Sequence, residues 1–288
     1  MRITATLLII FCFIIQSCQK EPDVTLDDDP VLPEEEPTLF VRYVELDTTL
    51  MAPNDTLDQE YYHYDENGRI KKIIGYSYEL GNVVDFEEQE YFYNANDTLP
   101  WKIFSKWTEV GGDTYTYSTF YEYENGRLTY DSTLEFRQPA NEHFSTTAKR
   151  YTRNGDNVSI LRKDYSLPDL NIVQSEYSAT MLNTVQNGNI ILQEAEGDII
   201  FSWYPFIAAT YDDKINPFFD VYPPAAFFDK WALQKNNTVS LEMGDDLATP
   251  QIIEQTTYDY RPDGRPSVAR IHDPSSIYSR KALYFYSN

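Results

Sequence analysis

A short aromatic phrase recurs along this sequence and leaves few folds open to it. Its plainest copy is Tyr62-His63-Tyr64-Asp65-Glu66-Asn67-Gly68-Arg69-Ile70. Tyr91-Phe92-Tyr93-Asn94-Ala95-Asn96-Asp97-Thr98-Leu99 begins 29 residues later, and Tyr121-Glu122-Tyr123-Glu124-Asn125-Gly126-Arg127-Leu128 a further 30 on. Tyr258-Asp259-Tyr260-Arg261-Pro262-Asp263-Gly264-Arg265 repeats it near the end. Weaker copies centre on Asn154-Gly155-Asp156-Asn157-Val158 and Asn187-Gly188-Asn189-Ile190. Such self-similarity marks a repeat architecture.

Each copy carries the same physics. Side chains alternate along a strand, so Tyr-x-Tyr sets two rings on one face. Asn-Gly and Asp-Gly then supply the positive φ angles of a tight hairpin turn. Ile70-Lys71-Lys72-Ile73-Ile74-Gly75-Tyr76 and Leu128-Thr129-Tyr130-Asp131-Ser132-Thr133-Leu134 follow as return strands. A period near 30 residues accommodates two to three strands, and helical periodicity is scarce between 39 and 200. The middle position runs through His63, Phe92, Glu122 and Asp259, mostly polar, so it should face solvent while the flanking tyrosines face inward. Tyrosine suits a partly wet interior, because its ring buries while its hydroxyl finds a partner. A structural core is the plain use of this stripe; an exposed platform stacking on sugar rings is the functional one.

Residues 201–241 break the pattern. Phe201-Ser202-Trp203-Tyr204, Tyr211-Asp212-Asp213-Lys214-Ile215-Asn216-Pro217-Phe218-Phe219 and Lys235-Asn236-Asn237-Thr238-Val239-Ser240 frame a proline-led stretch. Within it, Phe227, Phe228 and Trp231 at helical spacing predict one short amphipathic helix near residues 224–234, placed to plug a barrel end or cover a sheet. The expected fold is all-β: a large curved antiparallel meander or incomplete β-barrel built from repeated hairpins. It should form a single domain over 39–288.

The N-terminus reads as an address. Met1-Arg2 precedes an apolar run from Ile3 to Ile15, too short for a permanent span but suited to a secretory signal over 1–17. Ile15-Gln16-Ser17-Cys18 is similar to a bacterial lipobox, which would acylate Cys18 and remove Cys12 with the signal. No cysteine would then remain for a disulfide. Residues 19–38 hold eight acids, one lysine and four prolines, a composition that repels itself and resists helix. An extended tether over 18–38 is expected, similar also to the surface-export signal of Bacteroidetes lipoproteins.

The Tyr-x-Tyr-Asp-x-Asn-Gly-Arg copies resemble YD-type repeats. Together with Tyr211-Asp212-Asp213-Lys214-Ile215-Asn216-Pro217-Phe218 and Lys235-Asn236-Asn237-Thr238-Val239-Ser240, they resemble a family of Bacteroidetes lipoproteins of unknown function with a porin-like fold. The resemblance covers roughly residues 40–288. It implies a strongly curved antiparallel sheet in a lipid-tethered protein, and it brings no catalytic residues to transfer. A membrane pore is not expected, since Asp85-Phe86-Glu87-Glu88-Gln89-Glu90-Tyr91 puts charge on both faces of a strand.

Composition narrows the function. With 46 acids against 23 bases, a net charge of −23 excludes a nucleic-acid partner, which needs lysine and arginine on the polyanion. The three histidines, His63, His143 and His272, are far apart, and no Gly-x-Ser-x-Gly elbow, phosphate loop or dinucleotide fingerprint occurs. Pairs of carboxylates for glycoside hydrolysis exist in any chain this acidic and say nothing. No cofactor and no catalytic residue is expected. Asp212, Asp213 and Asn216 are weak calcium candidates; the plainer expectation is loop-fixing, with Asp capping amides and Lys214 pairing a carboxylate. Asp55-Thr56-Leu57 and Asp97-Thr98-Leu99 resemble Bacteroidetes O-glycosylation acceptors and equally fit strand-entry turns. The expected protein is a monomeric, non-enzymatic lipoprotein of the outer membrane, facing periplasm or cell surface, that binds a glycan or an envelope protein on a concave aromatic-rich sheet. The alternatives are an assembly accessory without a small-molecule ligand and, third, a glycan hydrolase.

Overall fold

The structure, a computed structural model, describes residues 38–48, 55–95, 97–167, 169–198, 206–219, 221, 234–244, 250–274 and 279–287. Cys12, Cys18, the acidic tether and residues 224–233 of the expected helix lie outside them. Gln234, at that helix's expected end, sits in a bend.

Sixteen strands are described, all within the unit Thr38–Ser287. The first eight are β1 (Phe40–Asp47), β2 (Thr56–Tyr64), β3 (Ile70–Glu79), β4 (Asn82–Phe92), β5 (Lys102–Glu109), β6 (Thr114–Glu124), β7 (Arg127–Arg137) and β8 (Glu142–Asn154). Then come β9 (Asn157–Ser166), β10 (Ser175–Gln186), β11 (Asn189–Gly197), β12 (Phe206–Ile215), β13 (Asn236–Gly244), β14 (Gln251–Tyr260), β15 (Pro266–His272) and β16 (Ser279–Tyr286). Every strand pairs antiparallel with its chain neighbours, as a meander of hairpins should.

The expected meander or incomplete barrel is corrected at one seam. β16 returns to pair with β1, Tyr43 opposite Tyr284 and Glu45 opposite Ala282, and the barrel closes. Closure follows from the hydrogen-bonding demand of two edge strands, each of which would otherwise leave a row of N–H and C=O groups open. Each repeat is one hairpin: Tyr62, Tyr91, Tyr121 and Tyr151 fall on β2, β4, β6 and β8. At the turns, Asn125 and Gly126 have φ of 53° and 72°, and Asn187 and Gly188 have 54° and 84°. Both central residues are thus left-handed, the geometry that matches the twist of the flanking strands.

Alternation sorts the wall into two surfaces. The buried Tyr62 faces Ile73 and Tyr91 faces Ile103 across β2–β5, and the four belong to the largest inward cluster. The middle residues His63, Phe92, Glu122 and Asp259 face outward and are exposed. The outer face carries cross-strand ion pairs: Lys72 lies 2.8 Å from Glu88, Lys163 2.9 Å from Glu176, and Arg270 2.7 Å from Asp259. Such charges belong in water, since a lysine or arginine facing the middle of a bilayer costs about 2–4 kcal/mol.

Sixteen strands enclose more space than side chains can fill. At the end where the Asn-Gly turns lie, rings close the interior. Towards the other end the inward face mixes carboxylates held by neighbours with the rings of Trp107, Tyr115 and Tyr117. Tyr43 donates to Glu45 at 2.6 Å, Gln89 to Glu87 at 2.7 Å and Ser145 to Glu135 at 2.6 Å, while Tyr62 donates to Glu60. Glu60, Glu87 and Glu135 point inward yet stay half-exposed, so solvent reaches this half of the interior.

Candidate functional site

Six inward tyrosines are engaged as fasteners. Tyr64 donates its hydroxyl to the carbonyl of Phe40 at 2.6 Å, Tyr93 to Ile70 at 2.8 Å and Tyr123 to Pro100 at 3.0 Å. Tyr211 donates to Ile190 at 2.8 Å, Tyr258 to Thr238 at 2.9 Å and Tyr286 to Pro266 at 2.9 Å. In each case a ring from an even strand, or the residue just after it, reaches the start of the odd strand before it, or, for Tyr123, Pro100 just ahead of β5. Burial pushes all of Tyr93, Tyr123, Tyr211, Tyr258 and Tyr286 well above the usual phenol range, so they remain neutral donors. On β8 the first ring, Tyr151, donates instead to the buried carboxylate of Asp131.

A loop completes this floor. After β12 the chain turns through Asn216, whose side-chain oxygen accepts the amide of Phe218 at 3.0 Å. The Phe218 ring meets Phe40 edge-on at 5.1 Å and Tyr43 at 5.5 Å, on the far side of the barrel, and Val221 joins the cluster of Tyr62 and Tyr91. The plugging role expected of a helix is thus carried, among the described residues, by this turn. Edge-to-face rings add about 1 kcal/mol per pair beyond the area they bury.

β11 and β12 meet at only three register pairs, Leu192 with Ala208, Gln193 with Ile207 and Glu194 with Phe206. Beyond them the strands part, and amides bridge the gap. Asn189 donates to the Asn236 side-chain oxygen at 2.8 Å, the Asn236 amide donates back to Asn189 at 3.0 Å, and the Ile190 amide donates to Gln234 at 2.9 Å. Asn189, Gln234, Asn236 and Asn237 are all buried, and the hydrogen bonds offset what desolvation of their amides costs. Over this seam opens a cavity of about 740 Å³. Gln186, Asn187, Thr210, Asp213, Lys235 and Ser240 line it, with Ile191, Ala208 and Ile215 as its apolar share.

Asp212 closes one end of the seam. It accepts the Lys214 amide at 2.9 Å and the Asn237 amide at 3.3 Å, and the Tyr260 hydroxyl donates to its other oxygen. Burial first, then this hydrogen bond, raises the Tyr260 phenol above its usual range. Asp213 points outward to Lys214 at 3.2 Å, and Asn216 holds the plug turn. The three calcium candidates therefore each serve a separate local contact. Among the described residues no group of three or more His, Cys, Asp or Glu side chains gathers as a metal site.

The histidines fall apart as their sequence separation suggests. His63 is outward, with its pKa lowered by burial and by Lys72; His143 stacks on Phe136; His272 lies 3.2 Å from the Ser279 hydroxyl. Asp55 precedes β2, and Asp97 lies in a turn where its carbonyl accepts Arg69 at 2.8 Å. Sequence reasoning missed the groove residues Gln186, Asn189 and Asn236. Their signal was present as the amide-rich runs Gln186-Asn187-Gly188-Asn189 and Asn236-Asn237.

Solved structures similar to this chain include two porin-like proteins. A porin-like protein from Bacteroides uniformis aligns at 13% identity and a TM-score of 0.36, over 87% of this chain and 99% of that one. A porin-like protein from Bacteroides vulgatus aligns at 11% identity and a TM-score of 0.35, over 86% and 99%. No protein-family model matches the chain, and no curated protein does.

Proposed function

We propose that this chain is a non-enzymatic binding barrel of the bacterial envelope, tethered by lipid on Cys18, with its ligand site in the groove over β11–β13. The carrying observation is the lining of that groove. Side-chain amides and hydroxyls from Gln186, Asn187, Thr210 and Ser240 converge on about 740 Å³. Amides and hydroxyls both donate and accept, as does each hydroxyl of a sugar, so a glycan can satisfy them where a hydrocarbon cannot. Asp212, Asp213 and Glu242 outnumber Lys235 in the lining and favour an uncharged glycan.

The inward rings of the floor do not serve as the binding platform under this proposal, because packing and hydroxyl bonds hold them there. The charged outer wall suits a barrel that stands in water and owes its membrane attachment to Cys18. The quoted YD-type repeats and the paired Tyr211–Phe218 and Lys235–Ser240 elements support membership of the Bacteroidetes lipoprotein family. Closure of the sheet leaves no open strand edge for association and supports a monomer.

The test is a neutral-glycan array probed with the full-length chain in detergent. Saturable binding that is lost in Gln186→Ala/Thr210→Ala, both exposed positions, supports the groove; an empty array overturns it. One observation favours the assembly-accessory alternative. Leu80, Val110 and Ile172 stand 75%, 62% and 58% exposed on turns at the rim away from the plug, and apolar tips of this kind can seat on a protein partner.

A further inference from the structure

On the outer wall of β4–β6, away from the groove, three rings gather around one ammonium and a fourth packs on two of them. Phe92, Lys102 and Phe120 lie side by side in register across the three strands. Lys102 Nζ sits 5.4 Å from the Phe92 ring, 5.4 Å from Phe120 and 6.0 Å from Phe104. Trp101, just before β5, bridges the outer pair with its ring 6.4 Å from Phe92 and 6.2 Å from Phe120. Its amide donates to the Phe92 carbonyl at 2.9 Å, and its own carbonyl accepts the Tyr121 amide at 3.0 Å, so the backbone beneath the ring is fixed.

Two features of this patch call for an occupant. Trp101 and Phe92 are 41% and 37% exposed, whereas the rings of Tyr61, Tyr76 and Phe86 elsewhere on the same wall are half-buried, and large exposed rings grouped together mark an interaction surface. Lys102 makes no ion pair among the described residues of a chain with a net charge of −23. Glu90, opposite Phe104 on β4, lies 4.0 Å from Lys72 instead. The ring faces hold the ammonium by cation–π attraction while leaving its charge uncompensated.

We infer that this patch binds an acidic sugar, one pyranose stacking on Trp101 with its carboxylate on Lys102. The chemistry fits in both parts. The C–H face of a pyranose is flat, saturated and slightly positive, the complement of an open indole face. Lysine meets a carboxylate as a point charge and needs no bidentate geometry. The surface is open sheet rather than a cleft, which suits a rigid ring laid flat and does not suit an apolar small molecule, which needs enclosure. The inference is independent of the groove over β11–β13, whose lining is acidic.

The test titrates trigalacturonate, its neutral methyl ester and polyglutamate into the full-length chain in detergent, followed by calorimetry. Trigalacturonate should bind saturably and polyglutamate should not. Trp101→Ala should abolish that binding, and Lys102→Gln should weaken it by about tenfold while leaving the weaker binding of the ester unchanged. The unchanged ester binding shows that Lys102→Gln has kept the surface intact. Gln186→Ala/Thr210→Ala should bind trigalacturonate like the unaltered chain, which separates this site from the groove. The inference is overturned by absence of saturable binding, by equal affinity for acid and ester, by equal affinity for polyglutamate, or by full retention in both Trp101→Ala and Lys102→Gln.

Discussion

The hydroxyl of Tyr93 donates to the backbone carbonyl of Ile70 at 2.8 Å, and the same ring lies 4.4 Å beneath the guanidinium of Arg69. One side chain at the end of β4 thus clasps both the first residue of β3 and the turn before it. Arg69 is itself held by Asp65 at 2.8 Å. Asp65, Arg69 and Tyr93 therefore form one device, in which this hairpin's turn is fastened by the next hairpin's ring. Tyr93→Phe keeps the ring and its cation and removes only the hydroxyl. It should lower stability by about 1 kcal/mol, read as a shifted urea midpoint with an unchanged slope. No shift would mean that the hydroxyl bond contributes nothing beyond what water supplies.

Phe218 touches Phe40 and Tyr43 from across the barrel, so its removal should open a hole in the floor rather than loosen a surface loop. Phe218→Ala should cost about 3 kcal/mol, as large-to-small changes in packed rings do. Phe218→Leu should recover more than half of that. Denaturant unfolding of both variants checks the claim, and a cost within experimental error for Phe218→Ala would show the plug to be dispensable.

Local chemistry was legible in the sequence, and long-range closure was not. Alternation and turn residues place β2–β3 and β6–β7, and they also say which rings of Tyr62, Tyr64, Tyr121 and Tyr123 face inward. Nothing local distinguishes an open sheet from a closed one: pairing of β1 with β16 joins residues more than 200 positions apart. The tyrosine fasteners were hidden for the same reason, since each acceptor is a main-chain carbonyl that any residue carries. The outer patch did leave a trace. Among His63, Phe92, Glu122 and Asp259, Phe92 is the single large apolar side chain at a position whose companions are polar.

Asp65 ties acid stability to the repeat. Burial pushes its carboxyl up, but the Arg69 side chain and the Arg69 and Asn67 amides together outweigh burial and hold it below the usual carboxylate range. A carboxyl depressed by folding stabilises above its unfolded pKa, about 3.9, and loses that contribution as pH falls through its lower folded value. Asp65→Asn should therefore cost about 1 kcal/mol near neutrality, and the difference should shrink towards zero below the folded pKa. Urea midpoints for both proteins across the acid range measure this, and a gap that widens on acidification would reverse the assignment.

Asp212 distinguishes a clasp from a cation site. Its oxygens already accept the amides of Lys214 and Asn237 and the hydroxyl of Tyr260. Millimolar calcium should leave the melting temperature unchanged, because binding would have to displace these donors. Tyr260→Phe should lower stability by about 1 kcal/mol without creating calcium dependence. A calcium-dependent rise in melting temperature that disappears in Asp212→Asn would instead make this end of the seam a metal site.

Membrane attachment can be assigned to the tether or to the wall, because the two predict opposite results for one variant. The proposed acyl chains on Cys18 would partition at about 0.8 kcal/mol per buried methylene, enough for firm attachment with several chains. A spanning barrel would need no such help, but its lipid face would have to hold Lys72, Glu88, Lys163 and Glu176, whose ion pairs lie on the outer surface. Cys18→Ala should therefore move the protein from the membrane to the soluble fraction and stop palmitate labelling. Its barrel should unfold at the same urea midpoint as before, since β1 begins only at Phe40. A Cys18→Ala protein that remains in the membrane through alkaline carbonate washing would show that the strands themselves sit in lipid.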